Sequence, residues 1–397
     1  MRRATKVRIY PTLEQSAALS KQFGCADYWW NRALNNQYKH RSEKGRWLKR
    51  TELNALLPGL KKELPWLKTD CYSQVLQATT KHLEQALKNW FEGRAKKPRF
   101  KAKANKQSIS FPQNVVIMGN QIKIPKVGLV EAKFTHPIEG IIKTVTISVN
   151  PSGKYYAAIG LDLGESEVKP STEGIVTGID LGLKDYVTCH DGDRSYAVNH
   201  PKWLRKHERN LRYQQKSLSR KKKGSSRRNK ARRLVARVHE RLSNARQDFL
   251  HKLSRKITDE SQVVVVENLN ISGMVKNRKL SKAIAQSGWG MFLNFLSYKL
   301  ECKGGILVEI DRFFPSSKMC SNCGDINREL ELKDREWTCN NCGTHHHRDI
   351  NASQNIRQEG MRIMGLGHSP HGDGFRLEAC SQATVYEVST HLEPIGC

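Results

Sequence analysis

No stretch of this 397-residue chain approaches the roughly 18 consecutive apolar residues that span a bilayer, and its opening, MRRATKVRIYPTLEQ, lacks the apolar core of a secretion signal. The expectation is a cytoplasmic protein with no membrane partner. Acids are scarce: 38 Asp and Glu face 68 Lys and Arg, a net charge of +30. That imbalance asks for a polyanion as partner. A disulfide framework is also missing, because Cys25, Cys71, Cys189, Cys302, Cys380 and Cys397 are scattered without pattern, as in a reducing compartment. No heptad seam marks an oligomerising coiled coil, so a monomer is expected.

What is present concentrates between Phe313 and Asn351. Cys320 and Cys323 form one CxxC pair and Cys339 and Cys342 a second, with fifteen residues between them, the spacing at which two knuckles close on one zinc ion. Gly324 and Gly343 follow the second cysteine of each pair, where the chain must turn under the metal and a Cβ would be in the way. Four thiolates fill a tetrahedral site and leave no open position, so this zinc is structural. Seven residues beyond the last ligand, Asp349 stands at the start of a helical pattern. An aspartate there also caps orphan N–H groups and suits the helix dipole, which is its ordinary explanation.

Two further acids weaken that explanation. Asp180 interrupts the apolar run GIVTGIDLGL, and Glu267 ends QVVVVE. A carboxylate is costly to bury in a strand unless a cation compensates it, so two strands each carrying one near the C-terminal end point to a shared cation. The order of strand with Asp, strand with Glu and helix with Asp resembles the RuvC nuclease on an RNase H-like sheet. With a zinc ribbon ahead of the last carboxylate, the chain resembles the TnpB (OrfB) family, RNA-guided DNA endonucleases of bacterial insertion sequences related to type V CRISPR effectors. The motifs that carry the resemblance are GIDLGL at 178–183, VVVVENLNI at 263–271, FFPSSKMCSNCG at 313–324 and CGTHHHRDINAS at 342–353. It extends over residues 1–357 and is strongest after 174. His347 departs from the family, many of whose members have an acid before the Arg-Asp pair.

The chain is expected to be a mixed α+β multidomain protein. A small β-barrel is formed by residues 1–12 and 94–165, from short alternating strands separated by turn signals, with a helical insertion at 13–93. In that insertion Leu19, Phe23, Ala26, Trp30, Ala33 and Leu34 recur at helical spacing, and Pro58 and Pro65 break the middle. Tyr28, Trp29, Trp30 and Trp47 are read as packing residues in the first place and as base-stacking groups in the second. An RNase H-like (RuvC) α/β domain follows at 174–314 and 346–360, with a basic helical hairpin at 202–258. A four-cysteine zinc ribbon is inserted at 315–345, and a disordered tail, without periodicity, occupies 361–397.

Two segments carry the charge. RAKKPRFKAKANKQ holds seven Lys or Arg and no acid, and Lys202 to Arg241 holds seventeen against two acids. Helices so one-sided repel themselves unless a phosphate backbone neutralises them. The candidate nucleic-acid contacts are Lys96, Lys97, Arg99 and Lys101 in the first segment and Arg220, Lys221, Lys222, Lys223, Arg227 and Arg228 in the second. Lys318 and Arg348 are candidates for contacts beside the acids. The resemblance implies a guide RNA and a double-stranded target DNA with an adjacent short motif as partners. It also implies two catalytic Mg2+ ions, with Asp180 bridging both while Glu267 and Asp349 each complete one site, as in two-metal phosphodiester hydrolysis. The His345–His347 triplet is expected to be a surface or nucleic-acid feature, since four cysteines saturate the zinc. Two rivals stay open: a strand-transfer recombinase (transposase) with the same carboxylate chemistry, and a non-enzymatic zinc-dependent RNA- or DNA-binding repressor. On any of these readings nucleic-acid affinity falls steeply with salt, on the order of 10³-fold between about 50 and 200 mM. A filter-binding titration checks it, and a flat profile would exclude the basic hairpin as the contact surface.

Overall fold

A computed structural model of the chain describes residues 2–102, 107–164, 168–201, 203–331 and 333–366. It divides into two compact units, Met1–Lys169 with Pro201–Leu253, and Pro170–His200 with Ser254–Cys397. None of its described helices is long and apolar enough to cross a membrane.

In the first unit, strand β1 (Arg2–Tyr10) buries Val7 and Ile9 and stops at Pro11. Thr12 then caps helix α1 (Leu13–Lys44) in a reciprocal box with Gln15, and Gly45 closes the helix at φ +68°. The residues at helical spacing, Leu19 through Leu34, are its buried stripe. Helices α2 (Arg50–Glu63), α3 (Trp66–Thr69) and α4 (Ser73–Phe91) complete the layer. Pro65 separates α2 from α3 as expected, but Pro58 lies inside α2. Its ring forgoes one backbone hydrogen bond while the flanking Leu57 and Leu60 stay buried, so packing carries the helix through.

In α1 Trp29 and Trp30 are buried packing residues, whereas Tyr28 is exposed and meets Trp66 edge-on. Trp29 is fully buried and donates to Thr80 Oγ1 at 2.9 Å, tying α1 to α4. Trp30, Asn31 and Tyr38 all bond backbone groups of the basic segment: Trp30 donates to Arg99 O at 2.9 Å, Tyr38 to Pro98 O at 3.1 Å, and the Asn31 amide pairs with both backbone groups of Lys101. That segment is thus laid along α1 and is no free linker.

Strands β2 (Gln107–Phe111), β3 (Val116–Met118), β4 (Gln121–Ile124), β5 (Gly128–Lys133), β6 (Ile141–Val149) and β7 (Tyr155–Asp162) join β1 in one antiparallel sheet, in the order β2-β6-β7-β1-β5-β4-β3. The expected barrel is a curled sheet, since among the described residues no ladder joins β2 to β3. β3 offers three residues, and Val116 and Met118 face water.

The hairpin of α5 (Trp203–Ser219) and α6 (Ser226–Glu260) groups with this unit as far as Leu253, where the sequence reading put it with the nuclease domain. Its anchor is Glu240, whose carboxylate accepts from Lys154 Nζ and Tyr156 Oη, both at 2.9 Å.

The second unit is built on a five-stranded sheet of β8 (Val176–Leu181), β9 (Asp185–His190), β10 (Ser195–Asn199), β11 (Val263–Glu267) and β12 (Ile306–Ile310), in the order β10-β9-β8-β11-β12. β8, β11 and β12 are parallel, while β9 pairs antiparallel with both β8 and β10. The four valines of β11 are fully buried, as a parallel strand covered on both faces requires. Helices α7 (Ile271–Met274), α8 (Ser281–Ser287) and α9 (Trp289–Glu301) lie between β11 and β12, and α9 buries Trp289, Phe292, Leu296 and Leu300. A small hairpin of β13 (Glu336–Thr338) and β14 (His345–His347) precedes helix α10 (Arg348–Ile363).

α10 seats on the sheet through two glycines. A Cβ at Gly178 would stand 2.2 Å from Ser353 O, and one at Gly360 would stand 2.4 Å from both methyls of Val265. The helix outlasts the boundary expected at 360, because Met361 and Met364 pack in the same core as Val263 and Val265. The rest of the expected disordered tail, from 367 on, lies outside the described residues. Gly to Ala inside a helix ordinarily stabilises by roughly 0.5–1 kcal/mol. Gly360→Ala reverses that sign here and destabilises by about 2 kcal/mol through overpacking, which denaturant unfolding of the purified variant measures.

Candidate active site and zinc ribbon

Asp180 points from β8 to the same side as Gly178, two residues earlier, and so toward α10. Glu267 ends the adjacent β11, whose Val266 is registered with Ile179. Asp349 lies in the first turn of α10. The seating at Gly178, against Ser353 and Arg357, brings the helix start over the C-terminal edge of the strands. The three acids thereby feel one another. Asp180 is pushed up to about 7, first by removal from water, then by the charges of Glu267 and Asp349, with Arg348 and Arg335 pulling the other way.

Two of the three have neighbours that the sequence reading missed. Ser316 Oγ donates to Glu267 Oε1. Arg335 Nη1 lies 3.2 and 3.3 Å from the two oxygens of Asp349, and its carbonyl accepts the N–H of Arg348 at 2.7 Å. Ser316 belongs to the FFPSSKMCSNCG motif and stood next to the ribbon in plain view. Arg335 sits between the cysteine pairs, where the sequence offers only spacing and no cue that it turns back toward the helix.

The four cysteine sulfurs lie within 4.8 Å of one another, the one group among the described residues that brings three or more ligand atoms so close. Cys320 to Cys342 and Cys323 to Cys339 are each 3.6 Å apart. A tetrahedron with ~2.3 Å bonds has edges of about 3.8 Å, so the cluster fits zinc. Its two knuckles repeat one another. Gly324 and Gly343, at φ +77° and +69°, each donate back to the first cysteine of their pair at 2.9 Å. His346, expected at the surface, is buried with its ring 4.8 Å from that of Trp337 and Nε2 3.0 Å from Cys320 Sγ. Strand alternation in β14 turns it inward while His345 and His347 face the other way.

α10 holds the ribbon by two buried asparagines. Asn351 donates to Met319 O at 2.7 Å and accepts from Ser321 N at 3.0 Å, and Asn355 donates to Ser316 O at 2.7 Å. The zinc module, the serine on Glu267 and the arginine on Asp349 are therefore positioned from one helix.

The expected nucleic-acid residues divide. Lys96, Lys97, Arg99, Arg220, Lys222, Lys223 and Arg227 are exposed and Lys221 half-buried. Lys97 nevertheless covers the Tyr38 ring at 4.5 Å. Four others are occupied within the fold. Lys101 pairs with Asp27 at 3.5 Å over the Trp30 ring, and Arg228 donates to Leu218 O and Lys221 O at the end of α5. Lys318 donates to Arg328 O and Arg348 to Glu331 O, both inside the ribbon. For Lys101 and Arg228 these partners have one reason: a long cation is also a good donor for nearby carbonyls and carboxylates.

Comparison with known proteins finds a family model described as "Probable transposase" matching residues 156–278. Models described as "Cas12f1-like, TNB domain" and "Helix-turn-helix domain" match residues 289–356 and 1–46. A Streptomyces pristinaespiralis protein is 38% identical over 97% of this chain and 94% of its own, and an Escherichia coli K12 protein, InsQ, is 29% identical over 92% and 94%. Both carry the provisional name of an RNA-guided DNA endonuclease. Among solved structures, the chain of a Cas12f1–sgRNA–target DNA complex shares the fold, with a TM-score of 0.50 and 12% identity, over 90% of this chain and 98% of that one.

A carboxyl group raised to about 7 in the fold from an ordinary value of 3.8 costs stability once both states are ionised. The native state keeps the proton between those two values, so the penalty is absent below about pH 4 and grows as pH rises through 7. Metal-free Asp180→Asn is accordingly more stable than the parent above pH 7, by on the order of 2–4 kcal/mol, and equal to it at pH 4. Thermal unfolding in a chelator at the two pH values checks both halves.

Proposed function

The chain belongs to the TnpB/OrfB family, and on that premise we propose that it is an RNA-guided DNA endonuclease which hydrolyses phosphodiesters at Asp180, Glu267 and Asp349. The observation that carries this reading is the convergence of three carboxylates from three elements, where burial first and the charges of Glu267 and Asp349 second push the Asp180 carboxyl up to about 7. Binding alone has no use for such a trio, whereas hard divalent cations want carboxylate oxygens and relieve the repulsion among them. The three acids would hold Mg2+, which when bound supplies an activated water and a counter-charge for the leaving oxygen.

The chain's own residues do the rest. Asp180 is carried by β8, the middle strand of its sheet. Ser316 orients Glu267, and Arg335 orients Asp349 by an ion pair. The zinc ribbon closes this edge, and Asn351 and Asn355 fix its approach to the helix. The sheet order, with parallel β8, β11 and β12 and a single reversed strand β9 between β8 and β10, supports an RNase H-like, RuvC-type assignment for this unit. The exposed cations at the turn of the α5–α6 hairpin and along the basic segment are suited to the phosphate backbones of a guide RNA and a target duplex. Base pairing with the guide would then choose the target, with a short motif in the duplex read by the protein.

The test begins with the protein expressed together with its native downstream flank and with the RNA it retains. One discrete RNA, and Mg2+-dependent cutting of a plasmid that carries the matching sequence, are expected. Asp180→Ala loses cleavage by on the order of 10³-fold or more while RNA and DNA binding stay unchanged. A variant that still cut at the parental rate would exclude this carboxylate, and DNA joining without RNA would favour the strand-transfer recombinase.

A further inference from the structure

The histidine triplet leads to a cavity that the nuclease reading leaves unused. A cleft of about 480 Å³ opens in the second unit between the end of β9, the two knuckles of the ribbon and the outer face of α10. His190 borders it at the strand, Asn322 and His347 at the ribbon, and Ile350, Gln354 and Gln358 along the helix at the i, i+4, i+8 spacing of one face. Its size is that of a small-ligand site.

The lining contains no Lys, Arg, Asp or Glu, in a chain of net charge +30. A phosphate would have no counter-charge there. A metal would find no three ligand atoms within 4.8 Å outside the cysteines, among the described residues. What the cleft offers is neutral hydrogen bonding with part of its capacity unspent. Gln354 Oε1 accepts from Ser321 Oγ at 2.8 Å, which leaves its amide N–H groups to donate inward or to water. Gln358 Nε2 donates to Ser321 O at 3.3 Å, which leaves its carbonyl to accept. His190 spends Nδ1 on Ser195 Oγ at 3.0 Å and keeps Nε2. His347 Nδ1 is buried without a partner. A donor and an acceptor one helical turn apart, with imidazoles beside them and the Ile350 side chain as an apolar wall, match the edge and the face of a nucleobase.

The position narrows the ligand further. His347 and Ile350 flank Arg348 and Asp349 in sequence, and His190 is registered with Gly178, two residues before Asp180 on the same side of the sheet. The cleft therefore begins one residue from Asp349 at the start of α10 and runs back along the helix to the end of β9, away from the acids, so a strand held at the acids can lay a base in it. We infer that the cleft is a base-holding subsite, which takes one unpaired nucleobase of the DNA strand whose backbone is engaged at the acids. The nucleobase has to be unpaired, because pairing would occupy the edge that the amides address. Identifying the strand as DNA rests on the nuclease reading above, whereas the base chemistry of the cleft does not. The cut then carries a base preference that pairing with a guide does not set, since phosphate contacts position a strand and base contacts specify it.

Photo-crosslinking tests this without any need for cleavage. Full-length protein with its retained RNA, without added Mg2+, is irradiated with single-stranded DNA carrying 5-iodouracil at one position at a time, and the linked peptides are identified by mass spectrometry. One position is expected to link to His190 or to the peptide spanning 344–358. Gln358→Trp, which fills the cleft from an exposed helix position, lowers that yield at least about fivefold while links to α6 persist; an unchanged melting temperature and zinc content show that it folds. Links to α6 without any in the cleft overturn the inference. So does a cleft link unaffected by both Gln358→Trp and His190→Leu. Cleft links in a protein that shows no Mg2+-dependent cutting would overturn the nuclease reading and leave the base site standing.

Discussion

Helix α10 can lie on strand β8 only because position 178 has no side chain. The carbonyl of Ser353 and the N–H of Arg357 occupy the place a Cβ would need. This contact sets the height of the helix over the sheet, and most of the second unit follows from it. With the helix so close, its first turn reaches the edge where β8 and β11 end, and Asp349 arrives beside Asp180 and Glu267. The same helix presents Asn351 and Asn355 to the base of the ribbon, so the metal module is positioned by the element that carries the third acid. A loosened helix would release the ribbon and the carboxylate together.

The charge of the molecule is divided by the same logic. Acids that repel one another are collected at one sheet edge, where Arg335 and Ser316 are tied to two of them and Asp180 meets only their field. Cations are spread over the helical hairpin and the segment along α1. Part of that positive charge is internal. Lys101 covers Trp30 and pairs with Asp27, Arg228 closes the end of α5, and Lys154 meets Glu240 under the hairpin. Buried ends of long cations are held by local acceptors. The remaining exposed cations form the electrostatic surface a polyanion would meet.

The elements legible in the sequence were those written in short-range chemistry. The CxxC pairs with their glycines specified two knuckles, the helical spacing of Leu19 through Leu34 marked α1, and the valine run ahead of Glu267 marked a strand. Readings failed where packing overrode a local rule. Pro58 usually stops a helix, yet Leu57 and Leu60 bury enough surface to carry α2 past it. His346 looked like one of three equivalent imidazoles until strand alternation turned it alone toward the sulfurs. The tail was expected to lose structure at 361, but Met361 and Met364 still reach the core formed with β11.

By itself the sequence determined which groups could do chemistry: four thiolates at metal spacing, three carboxylates in contexts that make each costly, and an excess of cations that requires an anionic partner. Residue type and near-neighbour spacing suffice for that, because ligand chemistry and desolvation are properties of the groups. Only the tertiary structure decided which groups meet. Arg335 on Asp349, Ser316 on Glu267 and the neutral cleft between β9, the ribbon and α10 join residues from separate elements. Their proximity depends on how closely one helix can approach one strand, a steric distance that no local pattern in the chain records.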